Sequence, residues 1–301
     1  MLLNTIVEEI RNSNIQPIIA VAAAADEEVI EGVALAVRAS IASFLLYGQE
    51  EKISFFLEKE GLSGSESLTI VPCDDKEAAL EAVKAVRQNH AHIVMKGMVS
   101  TSTLLKAVLH KEHGLRTGKV LSHVAAFEVN GFERLIYVTD AAMNIAPDLM
   151  QKAEIIQNAI TFAASIGTPH PKVAVLAAVE NVNPAMTPTL DAAALTMMNK
   201  RGQIVDGIVE GPLALDNAIS PEAAEHKGVH GEVAGHADIL AVPNIETGNI
   251  LYKSLMYFAK AKVGAVILGA KAPVVLTSRA DSAESKFYSI ALAVKSLNRK
   301  Q

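Results

Sequence analysis

The feature that most constrains this chain is its rhythm. Short apolar runs alternate with stretches whose apolar positions recur every three or four residues, almost from end to end. Pro17 to Ala24 has the pattern of a buried strand, and the chain turns helical after Asp26. Ile41 to Tyr47 is a second apolar run, closed by Gly48, and Gln49 to Lys59 is helical. Leu68 to Cys73 follows as a strand. Asp74 or Asp75 is placed to cap the next helix, whose one face carries Ala79, Leu80, Val83 and Val86. His92 to Met95 is a fourth strand, ahead of a Gly-Ser-Thr turn and a helix from Ser102 to His110. Repeated strand–helix–strand units predict a mostly parallel sheet with helices on both faces.

The middle breaks the rhythm. Val120 to Val129 and Arg134 to Thr139 are apolar runs joined through Asn130–Gly131, a strong antiparallel hairpin signal. A lobe boundary is therefore expected near Arg116 to Lys119. Alternation then resumes. Helix Pro147 to Ala164, strand Val173 to Ala178, helix Asp191 to Lys200 and strand Ile204 to Val209 come first. Strand Ile239 to Val242, helix Thr247 to Lys260, strands Ala265 to Leu268 and Val274 to Thr277, and helix Ser282 to Leu297 complete the chain.

With 301 residues, half of them hydrophobic, the chain can bury two cores. Aromatics make up only 4% and Trp is absent, which suits small-residue α/β packing. The formal charge of −6 gives no global attraction for nucleic acid or anionic lipid. Cys73 is the single cysteine, which excludes an intrachain disulfide and fits a reducing cytosol. The first 14 residues read as an amphipathic helix rather than a signal peptide, and no apolar run is long enough for a membrane span. A cytoplasmic location is expected.

Several familiar motifs fail. No two glycines stand in G-x-G spacing, so the dinucleotide fingerprint is missing. Gly114 to Lys119 falls one residue short of a phosphate loop, and Val120 stands where a Ser or Thr belongs. There is no G-x-S-x-G elbow and no H-E-x-x-H. His226, His230 and His236 lie near Glu225, Glu232 and Asp238, but their spacing fits no standard zinc site, and solvated loop histidines are the better reading. No metal is expected. Cys73, at a strand end, reads as an inert thiol, with an acyl-cysteine as the alternative.

Three polar turns after strands carry the chemistry. In the last, a strand ends at Thr277, and Asp281 with Glu284 reads as a capping box for the final helix. Ser278 and Arg279 then lie at a helix N-terminus, where free N–H groups and the helix dipole favour an anion. Arg279 adds a fork that fits phosphate, and Ser278 adds a hydroxyl. The alternative is an ordinary capped helix with a surface arginine. On the helix, Phe287, Ile290, Ala291, Val294 and Leu297 are expected on the core face. The second turn runs from Lys96 through Ser100, Thr101, Ser102 and Thr103, with Lys106 on the helix behind it. The third contains Asn244, Thr247, Gly248 and Asn249, with Lys253 beyond. N-capping with a solvated lysine is the bland reading of the second turn. Three such turns in one chain, all after strands, point to a shared cleft.

The stretches Asp216 to Lys227, Gly231 to Gly235, Ala237 to Lys253 and the pair Ser278–Arg279 together resemble the phosphate acetyltransferase and phosphate butyryltransferase family. Lys96 to Lys106, Leu115 to Phe127 and Ser278 to Ile290 are closer to the butyryl branch. The resemblance implies the two-lobed α/β fold of the isocitrate and isopropylmalate dehydrogenases, with the hairpin in the second lobe. Residues 1–117 with 276–301 would form one lobe and 118–275 the other, with the active site in the cleft. It also implies a homodimer or higher homo-oligomer and no tightly bound cofactor. Coenzyme A would be a substrate or product.

The implied reaction is attack of phosphate on the thioester of a short acyl-CoA, giving acyl phosphate and CoA, reversibly. Ser278 and Arg279 would hold phosphate and the developing oxyanion. In the acetyl branch the base for the CoA thiol is an Asp seven residues after the family serine. Ser285 stands there in this chain, with Glu284 beside it and Asp281 nearer the turn. Lys106 takes the place of a family arginine. Lys96, Ser100, Thr101, Ser102, Thr103, Lys106, Asn244, Thr247, Gly248, Asn249 and Lys253 would contact phosphate or CoA. The readings left standing beside butyryl transfer are phosphate acetyltransfer, a same-fold NAD-dependent hydroxy-acid dehydrogenase, and a non-catalytic CoA- or phosphate-binding protein.

Overall fold

The structure, a computed structural model, describes residues 2–13, 16–278 and 281–297. The chain divides into two compact units. One comprises Leu3–Lys119 with the chain from Gly264 onward, and the other Val120–Val263.

The first unit opens with α1 (Leu3–Asn12), β1 (Ile18–Ala22), α2 (Glu27–Arg38), β2 (Ser43–Gly48), α3 (Glu50–Lys59), β3 (Leu68–Pro72), α4 (Ala78–Arg87), β4 (Ile93–Lys96) and α5 (Thr101–Val108). β1 pairs in parallel with β2 from Ile18↔Ser43 to Ala22↔Tyr47, and with β4 from Ile19↔Ile93 to Ala22↔Lys96. Ile19 to Ala22 are all buried, as a strand covered by helices on both faces requires. α2 starts cleanly because Asp26 accepts from the Val29 N–H at 3.0 Å.

The second unit contains β5 (Ser122–Glu128), β6 (Ile136–Thr139), α6 (Leu149–Ser165), β7 (Lys172–Leu176), α7 (Thr187–Lys200), β8 (Ile208–Leu213), α8 (Leu215–Ile219), α9 (Pro221–His226), β9 (Ile239–Ala241) and α10 (Ile245–Tyr257). β5 and β6 are antiparallel, from Val124↔Thr139 to Phe127↔Ile136, so the Asn130–Gly131 hairpin is present. Gly131 has φ +90°, which a glycine adopts without strain. The remaining strands run in parallel in the order β6-β9-β7-β8.

β10 (Lys262–Leu268) leads back into the first unit, followed by β11 (Val274–Val275) and α11 (Ala283–Leu297). β11 joins the first unit's sheet beside β4, with Val274↔Val94 and Val275↔Met95. α11 lies on α2 where Gly32 leaves room. A Cβ there would stand 2.9 Å from Lys286 Cβ. Ile30, Val33, Ile290 and Val294 are buried in this unit. Each such side chain stabilises the fold by about 1.5–3 kcal/mol relative to exposure.

Several local expectations change. Neither Asp74 nor Asp75 caps α4. Asp74 instead accepts from the Lys76 N–H at 2.9 Å and turns the chain one step earlier, and Asp75 accepts from Gln49. The expected strand Ile204 to Val209 is displaced to Ile208–Leu213, because 204–207 form a turn with Asp206 at φ +63°. α7 begins four residues earlier than expected, with Pro188 in its first turn. His226 ends a short helix rather than lying in a loop. α11 is buried nearly all round. Lys286 and Tyr288 are buried, whereas Phe287 and Leu297 are only half-buried.

Candidate active site

In the first unit, β1, β4 and β11 end side by side, and the residues after them surround a pocket of about 300 Å³. Asp26, Glu27 and Glu28 come from the start of α2, and Lys96 with Gly97 from the end of β4. Thr277 and Ser278 come from the turn after β11, and Lys286 from α11. Open parallel sheets place ligands at this end of their strands.

Lys96 is 6% exposed, and its ammonium donates to the Gly97 carbonyl at 3.2 Å. Ser278 is exposed at the pocket. Its backbone N–H donates to Asp281 Oδ2 at 2.7 Å, and the Asp281 N–H returns a bond to Ser278 O at 3.2 Å. Asp281 therefore closes the Ser278 turn and does not cap α11. That role falls to Ser282, whose hydroxyl accepts from the Ser285 N–H at 3.2 Å. The expected Asp281–Glu284 capping box is not formed, because Asp281 is already committed to the turn. Arg279 lies outside the described residues.

Glu284 is exposed, and the Tyr288 hydroxyl lies 3.3 Å from its Oε1 and 2.9 Å from Asn4 Oδ1. Among the described residues it does not line the pocket. Ser285 is 7% exposed and sits against Ser282.

Ser100 caps α5 through the Thr103 N–H at 3.0 Å, and its hydroxyl also lies 2.8 Å from those of Ser102 and Thr103. Thr101, Ser102, Thr103 and Lys106 are exposed on α5. Of this group, only Lys96 lines the pocket with Ser278.

The second unit holds the third turn. Asn244 Oδ1 accepts from the Thr247 N–H at 3.0 Å and from its hydroxyl at 2.7 Å, so both residues serve the α10 cap. Gly248 is a packing residue. A Cβ there would stand 2.5 Å from the Asp140 carbonyl oxygen. Asn249 reaches the Ala141 carbonyl at 3.4 Å, and Lys253 lies over the Tyr257 ring at 5.9 Å.

Beneath this turn is a polar group that the sequence reading did not find. Asp140 is 3% exposed and accepts from the Ala142, Met143 and His123 N–H groups at 2.9, 2.9 and 3.2 Å. Asn144 adds a 2.6 Å bond. Lys152 pairs with Asp191 at 2.6 Å across the same wall. The enclosed space is only about 10 Å³, about that of one water. This buried network ties the β6 end to the turn after it and leaves space for about one water.

Cys73 is half-buried, and burial pushes its thiol up, with Asp75 and Glu81 adding to the shift. This suits an inert thiol. Among the described residues, no group of three or more His, Cys, Asp or Glu could hold a metal ion.

Sequence reasoning missed the start of α2, Glu28 included, and Lys286 as parts of the pocket. Glu28 had a signal, an acidic run directly after a strand end. Lys286 had none, because only the packing of α11 against α2 buries it.

The chain is similar to known proteins over most of its length. A "Probable phosphate butyryltransferase" of Bacillus subtilis is 56% identical over 276 residues, 92% of each chain. A "Phosphate acetyltransferase" of Thermotoga maritima is 48% identical over 91% of this chain and 93% of its own. The crystal structure of a branched-chain phosphotransacylase from Enterococcus faecalis superposes with TM-score 0.84 at 40% identity, covering 94% of this chain and 99% of that one. The family described as Phosphate acetyl/butaryl transferase matches residues 75–294, and the chain belongs to that family.

Proposed function

We propose that this protein moves a short acyl group, butyryl by preference, between coenzyme A and inorganic phosphate in both directions. The observation that carries the reading is the pocket that Ser278 and buried Lys96 both line, at the carboxyl ends of β4 and β11. Its similarity to a butyryltransferase and to a branched-chain phosphotransacylase favours a chain longer than acetyl.

The chemistry needs cationic and N–H donors aimed at phosphate and at the oxyanion of the tetrahedral intermediate. Preorganised donors of this kind typically supply ~3–4 kcal/mol each in the transition state. Lys96 supplies a charge held away from water, where its attraction for an anion is little screened. Ser278 supplies a hydroxyl on a turn that Asp281 keeps closed. We assign Arg279 to the phosphate, as its place next to Ser278 in the sequence implies. Ser100, Thr101, Ser102, Thr103 and Lys106, and Asn244, Thr247, Gly248, Asn249 and Lys253, are assigned to phosphate or CoA contacts. Glu284 is retained as an acidic group at the start of α11. No tightly bound cofactor enters this mechanism.

The protein is also proposed to work as a homo-oligomer. α10 leaves Ile250 66%, Tyr257 59% and Phe258 89% exposed, an apolar face that a second copy would cover. No helix among the described residues is long and apolar enough to cross a membrane. A cytoplasmic site of action is proposed from the single cysteine and the metabolic substrates.

The test is thiol release from butyryl-CoA with and without phosphate, with acetyl-CoA run in parallel. Phosphate-dependent release led by butyryl-CoA supports the reading. Faster acetyl turnover keeps the reaction and reverses the chain preference. No phosphate-dependent release from either removes it.

A further inference from the structure

The candidate groups around the Ser278 turn are already engaged or carry no charge. Asp281 accepts from the Ser278 N–H, Glu284 lies by Tyr288, and Ser285 is a neutral hydroxyl. The carboxylates that line the pocket with Ser278 and Lys96 are instead those at the start of α2. Two of these three are also occupied. Asp26 caps α2 through Val29, and Glu27 pairs with Lys59 at 2.7 Å. Glu28 is held differently. Its Oε2 lies 3.1 Å from the ammonium of Lys286, which is 2% exposed and also donates to the Asp281 carbonyl. One buried lysine thus joins Glu28 to the turn that carries Ser278, while the Glu28 side chain keeps 53% of its surface open.

We propose that Glu28 is the catalytic acid–base group of the transfer, with Lys286 as its positioning residue. The assignment rests on the transferase reading above. Toward acyl phosphate, hydrogen phosphate gives its proton to the Glu28 carboxylate as its oxygen bonds to the thioester carbon. The carbon–sulfur bond then breaks, and the departing CoA thiolate takes that proton from Glu28. In reverse, Glu28 removes the thiol proton, sulfur attacks the acyl phosphate, and phosphate leaves with the bonding pair and recovers the proton. No other reactant is needed.

The experiment compares wild type with Glu28→Gln, Glu28→Asp and Glu28→Ala by phosphate-dependent thiol release from butyryl-CoA. Glu28→Gln is expected to lower kcat by about 10²-fold or more. KM for butyryl-CoA and phosphate should stay within about threefold, since a proton-transfer group contributes little to ground-state binding. Glu28→Asp, which keeps a counter-charge for Lys286, is expected to fall between the two. Added formate is expected to restore turnover to Glu28→Ala, which a purely structural ion pair would not allow. Wild-type kcat in Glu28→Gln, or a loss in Glu28→Ala that formate does not recover, overturns the assignment. An inactive wild type overturns the transferase reading itself, and the Glu28 assignment with it.

Discussion

Asp281 closes the turn that carries Ser278 through a reciprocal pair of hydrogen bonds. Its Oδ2 accepts from the Ser278 backbone N–H at 2.7 Å, and its own N–H donates back to Ser278 O at 3.2 Å. The carboxylate that the sequence suggests as a helix cap serves as the clasp of the turn.

Asp281→Asn keeps an acceptor oxygen in place, and Asp281→Ala does not. The first is expected to retain most of the thiol-release activity, and the second to lose about tenfold through misplacement of Ser278. Equal losses in both would point to the charge instead of the bond.

Lys96→Met removes the buried ammonium and keeps the volume of the stem. Loss of one charged donor at a reacting anion is expected to lower kcat by about 10²–10³-fold. Steady-state kinetics with phosphate varied would detect this, and an unchanged kcat would remove Lys96 from the site.

Gly248→Ala forces a methyl to within 2.5 Å of the Asp140 carbonyl and 2.9 Å of Ala141 Cα. Overpacking against backbone is expected to destabilise the second unit by about 1–3 kcal/mol. Thermal melting would show a lower midpoint, whereas an unchanged midpoint would mean that α10 can shift freely.

Burial raises the Cys73 thiol above its usual range. A raised pKa leaves less thiolate at a given pH, so alkylation at pH 8 is expected to be slower than for free cysteine and to accelerate as the pH rises further. Mass spectrometry after timed iodoacetamide treatment measures this. Faster modification than free cysteine would reverse the inert assignment.

If α10 is a contact between copies, Phe258→Glu with Ile250→Glu places like charges across it. Light scattering is expected to show a smaller species than wild type. An unchanged mass would move the interface elsewhere.

Much of the fold was legible because hydrophobic periodicity is local. The runs at β1, β2, β4 and β6, and the Asn130–Gly131 turn, follow from side-chain spacing and turn chemistry. The resemblance motifs likewise placed Lys96 and Ser278, which now line one pocket. Cap assignment was less legible. Asp74, Asp75, Asp281 and Ser282 are all chemically able to cap, and tertiary position decides which N–H each one meets.

The sequence by itself determined the alternating elements, the hairpin and the polar turns at strand ends, since each is written within a few neighbouring residues. The resemblance already put the last helix with the first lobe, and only the tertiary structure decided that α11 lies on α2. That packing sets Lys286 against Glu28, 258 residues apart in the chain. A contact of that separation depends on burial and close helix approach at Gly32, which no local pattern encodes.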